Sequence, residues 1–242
     1  MPHLKDKHER GLRSKTIAIG IDPLKALTTG IDNIAIGTSV ADALTTGICN
    51  VAIGRNALGA ATTGCFNIAL GDTALGGADT TGINNTAIGQ TAMDALTTGI
   101  DNVAVGRSSF GAGTTGCRNV AIGPAALATS TTGKCNVAIG SGALGGADTT
   151  GVDNIALGTA AMDALTSGAS NIGIGINALG AATIGLCNIA IGNLAMANVT
   201  TGQADRNVAI GDCALLGCAG TSGNLNVGIG YRTVGGTGTI TT

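Results

Sequence analysis

Residues that commonly carry chemistry are few in this chain, and they are not grouped into pairs. No two of the seven cysteines have the C-x2-C spacing of a metal motif. The cysteines are Cys49, Cys65, Cys117, Cys135, Cys187, Cys213 and Cys218. Both histidines, His3 and His8, lie at the start of the chain, so no cysteine has a nearby base that would make it a nucleophile. We expect no enzymatic activity and no cofactor.

Carboxylates are also scattered, with a single glutamate at Glu9 and the aspartates spread along the chain. Asp79 and Asp148 lie in G-G-A-D-T-T-G segments that are similar to calcium-binding nonapeptide repeats. The period differs and most repeats lack the aspartate. We therefore expect no metal site, and calcium binding is the alternative.

The cysteines exchange with aspartate at equivalent positions. Cys49, Cys135 and Cys187 stand immediately before an asparagine, where other repeats have aspartates such as Asp32 and Asp101. This exchange indicates a permissive position near the surface, and the odd number of cysteines favours unpaired thiols in a reducing compartment. Disulfides between chains are the alternative.

Composition excludes several classes of protein. The chain has 42 glycines, only 1% aromatic and 11% charged residues, and a formal net charge of −2. Large hydrophobic content excludes disorder, and near-neutral charge without aromatic-basic patterning excludes nucleic-acid binding. Mean hydropathy is +0.40, but Gly, Asn, Ser and Thr interrupt every apolar run, so we expect no membrane insertion.

A tandem repeat of the form T-T-G-x-x-N-x-A-I-G-x-x-A-L accounts for nearly all of the chain. Its period is 17–19 residues, and residues 74–99 match residues 143–168 at 19 of 26 positions. Self-similarity at a short fixed period is typical of a solenoid. The sequence therefore predicts domains at 1–15 (an N-terminal anchoring segment), 16–230 (the repeats) and 231–242 (a C-terminal tail).

The residues after each asparagine predict strands. The first is β-branched in every repeat, the third is Ile, Leu or Val, and Gly ends the run. A second apolar position, such as Leu58 or Leu75, predicts a second short strand before the T-T-G turn. The predicted fold is all-β, a parallel β-roll or β-solenoid of about 13 coils.

Between the two large residues of each strand stands Ala or Gly without exception. If the large residues point into the coil, Ala points outward, and something must approach that side closely. We therefore predict an interface between identical chains, three around one axis; the alternative is a thin coil that holds Ala inside. The predicted interface alanines are Ala35, Ala52, Ala69, Ala87, Ala104, Ala121, Ala138, Ala156, Ala190 and Ala209.

The asparagine that begins each strand predicts a ladder of side chains bonded to one another and to turn backbone. A row of ligand-binding asparagines is the alternative. The predicted ladder comprises Asn33, Asn50, Asn67, Asn85, Asn102, Asn119, Asn136, Asn154, Asn171, Asn188, Asn207 and Asn226.

The N-x-A-I-G element with small residues and glycine turns resembles the head repeats of trimeric autotransporter adhesins over residues 16–230. The longer T-T-G form resembles repeats of bacteriophage tail-fibre and appendage proteins and of some large-virus surface proteins. The resemblance implies a homotrimeric, elongated structural or adhesive protein without catalysis.

The expected function is a structural fibre or spike segment of a virion, assembled in the host cytoplasm, with a contribution to host attachment through a surface receptor or glycan. The alternatives are a bacterial cell-surface adhesin head, which would be extracellular, and an ice-binding solenoid using the T-T-G threonines. Residues 1–15 carry a net charge of +3 against −5 for the rest, and we expect them to bind other virion proteins. The predicted anchoring residues are Lys5, Lys7, Arg10, Arg13 and Lys15.

Overall fold

The computed structural model describes residues 15–198, 204–216 and 224–233. Within them the chain forms thirteen strands in one parallel sheet, in chain order, and no helix, which confirms the predicted all-β solenoid. Each strand has three residues. The strands are Ile17–Ile19 (β1), Ile34–Ile36 (β2), Val51–Ile53 (β3), Ile68–Leu70 (β4), Thr86–Ile88 (β5), Val103–Val105 (β6), Val120–Ile122 (β7), Val137–Ile139 (β8), Ile155–Leu157 (β9), Ile172–Ile174 (β10), Ile189–Ile191 (β11), Val208–Ile210 (β12) and Val227–Ile229 (β13).

Neighbouring strands pair at equivalent repeat positions. Ala104 of β6, for example, is the partner of Ala121 of β7, which in turn pairs with Ala138 of β8. Each repeat therefore advances the chain by one strand spacing, about 4.8 Å, and thirteen strands extend over roughly 60 Å. Every repeat position becomes a straight column along the stack.

The orientation expected for the strand alanines is wrong. Their side chains lie inside the coil of the single chain, and the large residues on either side of them lie outside, as in β7 with buried Ala121 and exposed Ile122. All ten alanines are 0–1% exposed: Ala35, Ala52, Ala69, Ala87, Ala104, Ala121, Ala138, Ala156, Ala190 and Ala209. A side chain buried in its own coil offers no surface to a second chain. The thin coil that holds Ala inside, the alternative above, is the observed arrangement.

The second predicted strand is a series of turns. Leu58, for example, has φ of +55° and Asn56 has φ of +54°, and the backbone N–H of Gly59 donates to the carbonyl of Asn56 at 3.2 Å. Two left-handed residues separated by one other residue bend the chain too sharply for a strand. The large apolar residue of this segment, which is leucine or methionine in most coils and Phe110 in the coil of β6, packs in one core with the strand alanines.

Glycine at the end of each strand is required by close approach of adjacent coils. Gly123 has φ of +125°, and a Cβ on it would lie 2.7 Å from the carbonyl oxygen of Gly140 in the next coil. No other residue fits this column.

Candidate assembly surface

The asparagine ladder expected from the sequence is present inside the coil. The Asn85 side-chain amide donates to Asn67 Oδ1 at 3.1 Å and to the carbonyl of Gly99 at 2.9 Å. Its own Oδ1 accepts from the backbone N–H and the side-chain amide of Asn102. All four hydrogen-bonding positions of this buried amide are therefore used, which leaves none for a ligand.

The same pattern continues along the stack. The side-chain amides donate to a turn carbonyl of the next coil, which belongs to Ala204 in the case of Asn188 and to a glycine in the other cases, at Asn33, Asn50, Asn67, Asn85, Asn102, Asn119, Asn136, Asn154, Asn171 and Asn188. Asn207 and Asn226 continue the ladder. Buried amides satisfied in this way fix the register of every coil against the next.

The outward side of the thirteen strands, which we call the outer face, is apolar. It consists of the first and third residue of each strand, and all of these except Thr86 are Ile, Val or Leu. Those most exposed are Ile17, Ile19, Ile53, Ile68, Ile88, Ile122, Ile155, Leu157, Ile191, Ile210, Val227 and Ile229. No charged residue interrupts them.

The outer face is large for an apolar patch on a monomer and approaches the area of an interface. A strip roughly 60 Å long and about 10 Å wide covers about 600 Å² before its edges are counted. Apolar patches on soluble monomers rarely exceed a few hundred Å², and a stable interface buries about 800 Å² per partner. The sequence prediction missed this face because it placed the large residues inside. The absence of charge from both positions was the signal that could have found it.

Both long edges of the outer face are variable and mostly polar. The entry edge is the residue immediately before each asparagine, and the exit edge is the residue immediately after each strand-ending glycine. Arg55 and Asp72, on the exit edge of adjacent coils, form an ion pair at 2.6 Å. The Arg55 hydrogen bond holds the pKa of Asp72 below its ordinary value, and the same bond raises the pKa of Arg55.

The first threonine of T-T-G stabilises the turn. The hydroxyl groups of Thr45 and Thr97 donate to the carbonyls of Thr62 and Thr114 in the following coils, at 3.0 Å. The second threonine, such as Thr46 or Thr98, is exposed. Thr81 and Thr150, the second threonines of two other turns, are also exposed, although their hydroxyl groups donate to the carbonyls of Thr97 and Thr166 at 3.4 Å.

The cysteines and aspartates are dispersed along the solenoid. Cys49, Cys65, Cys117, Cys135, Cys187 and Cys213 are free thiols, and Cys218 lies outside the described residues. The Oδ1 atoms of Asp79 and Asp148 accept hydrogen bonds from the backbone N–H and the hydroxyl group of Thr62 and Thr131, respectively, in the preceding coil. Among the described residues, no three His, Cys, Asp or Glu side chains are close enough to hold a metal ion.

One aspartate is partly desolvated. Asp94 packs against Gly77 of the preceding coil, and its Oδ1 is buried without a hydrogen-bond partner. Desolvation raises the pKa of Asp94, and a backbone hydrogen bond from Gly77 opposes the change.

Four of the five predicted anchoring residues lie outside the described residues: Lys5, Lys7, Arg10 and Arg13. Residues 234–242 of the C-terminal tail also lie outside them. Lys15 is exposed, and its backbone N–H donates to Asp32 Oδ1 at 3.3 Å.

Comparison with known proteins adds no relative. A scan against protein-family models finds no match, and a search of the curated proteins finds none either. Within the described part of the chain, no helix has the length and apolar character needed to cross a membrane. The functional argument therefore depends on the solenoid and its outer face.

Proposed function

We propose that this protein is a non-enzymatic structural component of a virion fibre or spike, in which three identical chains pack side by side along their outer faces. The observation that carries the proposal is the uninterrupted apolar outer face of a rod-like solenoid. A face of this length is costly to leave in water, and a rod covered along one side by its own copies is suited to a fibre.

A second copy fits this face for a geometric reason. The apolar residues recur at the strand spacing of about 4.8 Å, and an identical chain has the same spacing, so contacts repeat in every coil. The interface consists of the Ile, Val and Leu residues that flank the alanines. We propose that the homotrimer expected from the sequence forms through these residues.

Assembly is tested by placing a charge in the middle of the outer face. We expect the parent protein to sediment as a trimer. Ile122→Lys should dissociate it, because every interface would bury an unpaired ammonium group. Thr115→Lys is the matched control, since Thr115 is exposed on a different side of a neighbouring coil. A parent that is monomeric at micromolar concentration would overturn the self-association.

The virion role is tested through the N-terminal segment. Its net charge of +3 per chain would be tripled at one end of a trimer and would favour an acidic docking surface. A variant lacking residues 2–14 should assemble and melt as the parent does, because the strands begin at Ile17, yet it should be missing from purified particles. Normal incorporation would rule out the anchor, and labelling of host-cell surfaces instead of particles would favour the adhesin alternative.

Ice binding receives less support from the geometry. A flat ice-binding surface needs ordered rows of free hydroxyl groups. The first threonines of the turns instead donate their hydroxyl groups to backbone carbonyls, as Thr45 and Thr97 do, or to a carboxylate, as Thr62 does. Thermal hysteresis of the purified protein tests this alternative directly.

A further inference from the structure

We propose that the chains associate in parallel and in exact register, with the entry edge of one chain against the exit edge of its neighbour at the same coil. This inference rests on the self-association proposed above and adds its direction and register.

The argument starts from symmetry. When identical rods are related by a rotation axis parallel to their length, the entry edge of each chain meets the exit edge of the next. When the rods are antiparallel, each edge meets its own kind. The two edges of one coil lie on opposite sides of its strand, so they are free to pair between chains.

In two coils the edges carry charges of opposite sign at the same level. In the coil of β6, Asp101 is on the entry edge and Arg107 on the exit edge; in the coil of β12 the signs are exchanged, with Arg206 at entry and Asp212 at exit. Within the described residues, none of these four side chains forms an ion pair in its own chain. All four side chains are exposed beside the apolar strip.

In the other coils an entry-edge charge would face an uncharged residue, as Arg118 would face Pro124 and Asp153 would face Thr159. Across the proposed interface, Asn84 would face Gln90 in the coil of β5, and Leu225 would face Tyr231 in the coil of β13. No coil would oppose two charges of the same sign. The remaining exit-edge charges, Arg55 and Asp72, neutralise each other within the chain.

Other arrangements are less favourable. If one chain is moved by a single coil in one direction, Arg118 faces Arg107 of the neighbouring chain. If it is moved in the other direction, only one pair of opposite charges remains, Asp32 with Arg55. An antiparallel arrangement centred on β7 would place Arg118 against its own copy. Complementary charges of this kind contribute little affinity at the rim of an interface, but they select register and direction.

A native cysteine allows the register to be measured. Cys135 is on the entry edge of the β8 coil and Ser141, which is exposed, is on its exit edge. In the proposed assembly, Ser141→Cys places a thiol opposite Cys135 of the next chain. Oxidised glutathione would then accept two electrons as the two thiols lose their protons and form a disulfide.

We expect Ser141→Cys to give covalently linked chains on non-reducing gels and Thr159→Cys, one coil further along the exit edge, to give none. Adding Cys135→Ser to Ser141→Cys should abolish the link. Linking through Thr159→Cys would demonstrate a shifted register, and an oligomeric parent without either link would demonstrate a different arrangement; both overturn the proposal. A monomeric parent would instead overturn the self-association on which it rests.

The charges are tested by exchange. Asp101→Arg should raise the dissociation constant of the assembly roughly fivefold, since like charges would face each other at every interface. Adding Arg107→Asp should restore it. A double variant as weak as the single one would contradict the pairing.

Discussion

The inner and outer sides of the same thirteen strands differ in the constraints on their residue types. On the inner side the alanines are buried and the adjoining asparagines are hydrogen-bonded to the neighbouring coils, with all four positions used at Asn85. On the outer side the residues are large, apolar and partly exposed. The inner side is complete within one chain, whereas the outer side is stabilised only when something covers it. Folding therefore depends on the inner side, and the assembly proposed above depends on the outer side.

The largest effect is expected for the two asparagines that stand next to each other before β5. Asn85→Ala leaves Gly99 and Asn102 without their partners inside the coil, and should reduce the free energy of unfolding by about 3 kcal/mol. Asn84 is exposed and donates only to Asp101, so Asn84→Ala should cost roughly 0.5 kcal/mol. Chemical denaturation measures both. Equal losses would show that burial of the ladder is not what stabilises it.

Two glycines in the coil of β8 provide a similar contrast. A Cβ on Gly140 would lie 2.5 Å from the carbonyl oxygen of Gly158, whereas one on Gly142 would meet nothing within 4 Å. Other coils already have alanine at the position of Gly142, with φ near +55° at Ala125. We expect Gly140→Ala to lose about 2–3 kcal/mol and Gly142→Ala about 1 kcal/mol or less. Thermal melting of the two variants at equal concentration distinguishes them.

The strands and their order could be predicted from the sequence because every repeat contains the same strand signals. β-Branched residues two apart, a glycine stop and an asparagine start recur in every coil, so thirteen copies support one interpretation. The side on which Ala121 lies could not be predicted in the same way. A period of two separates the faces of a strand but does not tell which face is inside.

What decides the inner face is the other wall of the coil. Leu127 and Ala126 of the turn segment fill the interior, and the space that remains beside Ala121 accepts one methyl group. The turn segment itself was read as a strand because left-handed leucines are rare and sequence periodicity does not reveal them. The wrong assignment of the alanine column followed from placing the large residues of each strand inside the coil.

The inner and outer positions of β7 allow this explanation to be tested. Ala121→Leu should overpack the coil and lower the free energy of unfolding by about 1–3 kcal/mol. Ile122→Leu, on the outer face, should leave folding unchanged because it keeps the apolar volume. Sedimentation and melting must be measured together. If Ala121→Leu melts normally but assembles poorly, the alanines would instead form an interface between chains.

The smallest effect concerns the partly buried Asp94. Its pKa is raised in the folded state by desolvation, so the folded protein binds a proton more tightly than the unfolded chain does. Stability therefore falls as the pH rises from the unfolded pKa through the folded one, and the destabilisation is complete above both values. Asp94→Asn should raise stability at neutral pH by a few tenths of a kcal/mol, since the site is partly screened by solvent. Below the unfolded pKa, where the carboxyl group is protonated in both states, the gain should disappear. Asp153→Asn, at an exposed carboxylate on the entry edge, is the control. Parallel melting curves of parent and variants across acid and neutral pH measure the difference, and a gain for Asp94→Asn that does not depend on pH would point to better packing against Gly77 as its cause.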